Sequence, residues 1–302
     1  MADTSLSFIF PAFTRDYIDH PGQNLPGFDE QFSQLLHTGA ETVDSVLSDF
    51  HFNGQTFPED ELRTQYLTYI YSCTASVILR KHNFYPLYTA GYSMGIYAAM
   101  FDAGVVSFET GLELIRLAYH SLLDSLKIGR FGMGILIGLN SEDIQQLINH
   151  FGLRVEITNQ NAPHSFVVSG FREDLTKLLE HSKEEGALHV RDLGVSLPYH
   201  SRFVKEGAME FARRIGHLKF SSQGNQIISL IDQTILVTAE SMRNEVIRNL
   251  FQPLNWFSTN RMMLDKKITT FVECGTSKDL VKNAKFVDGN YRFFALDSFL
   301  LQ

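Results

Sequence analysis

Cysteine is nearly absent: Cys73 and Cys274 are the only two in 302 residues. Two thiols cannot form a disulfide framework, and they lack metal-ligand spacing, so the expectation is free thiols in a reducing compartment. No run of about 18 uncharged apolar residues occurs, which removes a membrane-spanning helix from consideration. The N-terminus, Met1 to Thr4, is acidic, and the apolar run from Leu6 to Pro11 is too short for a signal-peptide core. The reading is a cytoplasmic protein with no membrane partner. Basic excess is also missing: 26 Lys and Arg face 34 Asp and Glu, a formal charge of −8, which argues against a nucleic-acid partner. Internal repeats and low-complexity tracts are absent too. What remains is 44% apolar and 20% charged, the composition of a chain with a large core.

Strand and helix patterns alternate along that chain. Ser7-Phe8-Ile9-Phe10 reads as a buried strand, 28–50 and 60–82 as helical stretches, and Tyr85 to Thr89 as a second strand. After the glycine-rich hinge at 129–134 the pattern shortens to strand, helix, strand, strand, helix, strand, the order of a split β-α-β unit. Ser141 is the expected N-cap of its first helix and Gly186 the expected end of its second. Longer elements return after Pro198. The expected fold is α/β: a large α/β-hydrolase-like domain with a mostly parallel sheet, formed by 1–129 and 198–302, and a small ferredoxin-like subdomain, 130–197, inserted into it.

One segment carries chemistry. Gly91-Tyr92-Ser93-Met94-Gly95 follows a strand and opens a helix, matching the sharp turn that projects a nucleophilic serine. Glycines allow the strained backbone and close packing of the helix, and the Met94 amide at the helix start can donate to an oxyanion. By itself, the same spacing also fits an ordinary strand-to-helix turn. A serine hydroxyl requires a base within hydrogen-bond reach, and eleven histidines are available. His200 is favoured because Leu197-Pro198-Tyr199-His200-Ser201 lies in a proline turn where the chain leaves the small unit, although a loop histidine taken alone is more often solvated or structural. His120 and His164 are read as packing or loop residues. The 129–134 run lacks the lysine and following Ser or Thr of a phosphate loop, and neither a metal nor another cofactor is indicated.

Taken together, these segments resemble the family of malonyl-CoA:acyl-carrier-protein transacylases and polyketide synthase acyltransferase domains. The likeness runs through Phe10 to Phe13, Gly91 to Tyr97, Asn161-Ala162-Pro163, Val167 to Gly170, Gln252 to Trp256 and Glu273 to Lys278. It implies a Ser93–His200 dyad that takes an acyl group from an acyl-CoA or acyl-carrier thioester and passes it to an acyl carrier protein. It further implies an oxyanion hole from the amides of Met94 and Phe13, a histidine-orienting carbonyl at Asn255, and an acyl pocket at Tyr92, Ala118 and Asn161. Malonyl-specific members carry an arginine where this chain has Ala118. Arg116 lies about 200° around the helix from that position, so the resemblance points to a non-malonyl acyl group. Two alternatives remain open at this level: an acyl-thioester hydrolase, or a catalytically idle relative acting as a binding module.

Overall fold

The computed structural model describes residues 3–13, 25–52, 60–126, 130–222 and 224–300. Thr14 and Arg15 of the first loop, and Gly129 of the hinge, lie outside them. The chain begins with β1 (Asp3–Phe10), α1 (Phe28–Thr42), α2 (Glu61–Lys81), β2 (Pro86–Gly91), α3 (Gly95–Asp102) and α4 (Phe108–Ser125). Next come β3 (Phe131–Ile137), α5 (Ser141–His150), β4 (Val155–Ala162), β5 (Ser165–Phe171), α6 (Arg172–Glu184) and β6 (His189–Asp192). Further along are α7 (Lys205–Arg214), β7 (Gln226–Ile228), β8 (Ile235–Leu236), α8 (Ala239–Phe251), β9 (Leu254–Asn255) and α9 (Trp256–Asp265). The last elements are β10 (Thr270–Glu273), α10 (Asp279–Ala284), β11 (Arg292–Ala295) and α11 (Leu296–Leu300).

The strands form two sheets. The larger has the order β11-β10-β1-β2-β7-β8, parallel throughout except for β8, which turns back on β7. Because helices cover both faces of a parallel sheet, its central strand is apolar without alternation. Phe8 and Phe10 pack into the larger core with Tyr97 and Met100 of α3. Ile9, between them, faces Trp256, Met263 and Phe271 on the opposite side.

The smaller sheet has the order β6-β3-β5-β4-β9. Its first four strands come from the expected strand-helix-strand-strand-helix-strand run, and Leu136, Ile144, Phe166, Val168 and Leu175 form its own core. The fifth strand departs from expectation. Leu254 and Asn255, far beyond residue 197, pair in parallel with Asn159 and Gln160 of β4. Asn140 rather than Ser141 caps α5, its side chain accepting the Asp143 amide at 2.8 Å. Beyond α6, Gly186 takes φ +90°, as a residue past a helix end often does. Both cysteines are buried and free, and burial pushes both thiols up. Among the described residues no helix is long and apolar enough to cross a membrane.

The turn from β2 into α3 is where glycine is indispensable. A Cβ on Gly91 would lie 2.3 Å from the backbone of Ile96, and one on Gly95 only 2.1 Å from the Phe10 carbonyl oxygen. Neither obstacle is a movable side chain. Gly95→Ala is therefore expected to cost about 1–3 kcal/mol of overpacking strain, read as a lower unfolding midpoint in urea at unchanged slope.

Candidate active site

Ser93 sits between β2 and α3 with φ +55°, a left-handed backbone that a residue with a Cβ adopts only under constraint. That twist turns its hydroxyl out of the sheet, and Ser93 Oγ lies 2.7 Å from His200 Nε2. His200 is itself left-handed, at φ +61°, and only 2% exposed.

The end of α8 holds this pair. The last four carbonyls of a helix have no partner within it, and two of them receive His200. Its Nδ1 lies 2.5 Å from the Asn249 carbonyl, and its backbone amide donates to the Leu250 carbonyl at 2.7 Å. A carbonyl accepts only, so Nδ1 carries the proton and Nε2 is left to accept from Ser93. The Asn249 side chain reaches across and donates to the Ser93 carbonyl oxygen at 3.1 Å. One residue thus fixes both members of the pair.

This corrects the expectation for Asn255, whose carbonyl accepts from Thr259 Oγ1 at 2.7 Å. Its side chain caps α9 through the Ser258 amide and donates to Gln160 of β4. Asn255 fastens the small sheet and does not orient His200. Asn249 was missed because a helix-end carbonyl is independent of residue type, so no local pattern marks it.

Around Ser93 lies a cleft of about 360 Å³, lined by residues that include Phe13, Glu61, Tyr92, Asn159, Tyr199 and His200. A second recess of about 20 Å³ adjoins it, between Ser93, Tyr97, Ala118 and Tyr199. That is room for roughly one water or methyl group. Met94 and Phe13 border Ser93 here, and among the described residues neither backbone amide has a partner.

Tyr92 and Ala118 line these spaces, whereas Asn161 does not. Asn161 stands behind Tyr92, accepting its phenol proton at 2.7 Å, while Asn159 Nδ2 donates to the same oxygen at 2.9 Å. Two residues apart on β4, both reach the same phenol, and the one at the cleft wall is Asn159. Its Oδ1 is buried without a partner.

Arg116 forks onto Glu113 of the same helix, leaving the recess beside Ala118 without a cation. His164 is exposed in the β4–β5 turn, and the His120 ring meets Tyr119. Glu61, Gln65 and Ser196 went unnoticed in the sequence. Tyr199 OH donates to Glu61 Oε1 at 2.9 Å and accepts from Gln65 Nε2 at 2.9 Å. The Ser196 amide and hydroxyl both donate to Glu61 Oε2, at 3.0 and 2.7 Å. Among the described residues no group of three or more His, Cys, Asp or Glu is placed to hold a metal.

The chain matches none of the known family profiles, but individual relatives are plain. It is 24% identical over 300 residues to the malonyl-CoA–acyl carrier protein transacylase of Bacillus subtilis, covering 97% of this chain and 93% of that protein. The acyl-carrier-protein S-malonyltransferase of Burkholderia pseudomallei superposes with a TM-score of 0.86 at 21% identity, covering 99% of this chain and 100% of that one. A malonyl-transacylase solved with its type II polyketide synthase acyl carrier protein superposes with a TM-score of 0.85 at 22% identity, covering 96% and 95%. The class is therefore that of the mixed α/β transacylase fold, matched nearly end to end. Within it, the relatives this chain is similar to along nearly its whole length are named malonyl-CoA–acyl carrier protein transacylases.

Burial pushes the His200 imidazole down to about 4, against a smaller upward pull from the Asn249 carbonyl. The proton-accepting neutral ring therefore persists well below the ordinary histidine range. Labelling of Ser93 by a fluorophosphonate should hold its neutral-pH rate down to about pH 5.5, where an ordinary imidazole is only about one-tenth neutral. A midpoint near 6.5 would contradict the buried setting. The same depressed value predicts that this group's contribution to stability is complete above about pH 6.5 and is lost as pH falls towards 4.

Proposed function

We propose that this protein is an acyltransferase that moves an acyl group from a CoA or carrier thioester to an acyl carrier protein through an acyl-Ser93 intermediate. The observation that carries the reading is the 2.7 Å contact between Ser93 Oγ and His200 Nε2 at the wall of an open cleft. In this reading Ser93 Oγ attacks the thioester carbonyl as Nε2 takes its proton. The imidazolium is favoured by the Asn249 carbonyl at Nδ1 and by the negative end of α8. Developing charge on the carbonyl oxygen is met by the amides of Met94 and Phe13, unpartnered among the described residues. Collapse of the intermediate expels the CoA thiolate, which recovers the proton from His200. A carrier thiol then repeats the sequence in reverse and leaves Ser93 free. Donor and carrier enter by the cleft between the hydrolase-like large unit and the ferredoxin-like insert, the division expected near residues 130 and 197.

The acyl group we infer is a short one without a free carboxylate, although the named relatives are malonyl enzymes. Support comes from the recess beside Ala118, whose described lining residues include no Lys or Arg, and from the pairing of Arg116 with Glu113. A buried carboxylate without a partner costs several kcal/mol.

Acetyl-CoA incubated with the protein should give an acyl-serine adduct by intact mass, discharged on addition of a phosphopantetheinylated carrier protein. Ser93→Ala should abolish the adduct, and His200→Ala should slow its formation by about 10²–10⁴-fold. Discharge to water at the same rate with and without carrier protein would point to hydrolysis. Complete absence of adduct from any donor would remove the acyltransferase reading.

A further inference from the structure

Glu61 has no part in the chemistry above, yet it lines the same cleft as Ser93 and His200 and is only 9% exposed. Its three contacts are all donors: the Tyr199 hydroxyl, the Ser196 amide and the Ser196 hydroxyl. Such a set matches the acceptor oxygens of a carboxylate, which also lies in the first turn of α2, at the positive end of that helix. No cation faces it. Arg191, exposed on β6 at the rim, is the one Lys or Arg among the described residues lining the cleft. Gln65, one helical turn further along α2, lies in the recess behind Ser93 and shares the Tyr199 hydroxyl with Glu61. The carboxylate therefore stands one phenol oxygen away from the amide that borders the acyl recess.

We propose that Glu61 is a specificity-determining residue that sets the charge of the acyl group, turning away half-acid chains and admitting uncharged ones. The proposal rests on acylation of Ser93. Beside a carboxylate that is itself nearly buried, like charges repel more strongly than in open water, and among the described residues the one guanidinium lining the cleft is the exposed Arg191 at its rim. An acyl chain with a neutral polar tip meets no such barrier and can donate to the spare lone pair of Glu61 Oε1.

Malonyl and malonamyl thioesters of CoA test this directly, because the terminal amide matches the carboxylate in size and differs in charge. The native protein should form the malonamyl-serine adduct at least tenfold faster than the malonyl one. Glu61→Gln should cut that preference at least tenfold, with Glu61→Ala as a second variant should the first fold poorly. Tyr199→Phe removes a contact but keeps the carboxylate, and should retain the preference. Equal loading of the two thioesters by a protein that loads acetyl overturns the proposal, as does a preference unchanged in both Glu61 variants. Failure to load acetyl as well would instead remove the acyl-serine reading on which it stands.

Discussion

The site depends on where one helix ends. The carbonyls of Asn249 and Leu250, left open at the end of α8, grip the His200 ring and backbone, while the Asn249 side chain grips Ser93 from the other side. A helix terminus is a rigid source of acceptors whose positions depend on the whole rod. Thr238 and Ser241 cap the far end of α8 reciprocally, so the rod is closed at one end by its own side chains and at the other by the imidazole. Loss of that final turn would free the histidine and the serine together.

Holding two non-glycine residues at φ +55° and +61° carries a strain of about 1–3 kcal/mol each. The surroundings offset it: the Ser93 carbonyl accepts from the Ile96 amide and the Asn249 side chain, and the His200 amide donates to the Leu250 carbonyl, within dense packing. Ile96 and Phe10 crowd the elbow from either side, and Tyr92 sets its ring edge-on to the fully buried Trp256 at 6.0 Å. The Tyr92 hydroxyl also joins the elbow to β4 through Asn159 and Asn161. The two sheets therefore meet at the residue next to Ser93, where one phenol joins them.

Much of this was legible in the sequence, for reasons that differ by residue. The elbow stands out because its glycines are imposed by backbone crowding, which only residue identity can relieve. The alternating run from β3 to β6 was readable because apolar positions at strand and helix spacing in β3, α5, β4, β5 and α6 converge on one core of its own. Positions defined by partners far along the chain were not. Asn249 acts mainly through its backbone, so its side-chain type carries little of the signal. Asn159 and Asn161 both reach the Tyr92 hydroxyl, and nothing in their spacing tells which one borders the cleft. Glu61 looks like any acidic residue in a first helical turn until Tyr199 and Ser196 arrive from the other side of the fold. Two-residue strands such as β9 are too short for any periodicity to register.

That brief strand has an implication for engineering. Because Leu254 and Asn255, far along the chain, complete the small sheet, the run from β3 to β6 is not a cassette that can be lifted from one relative into another. Excised, it would expose the naked flank of β4, an invitation to pair with other copies. A chimera that exchanges this unit must carry the distant dipeptide with it.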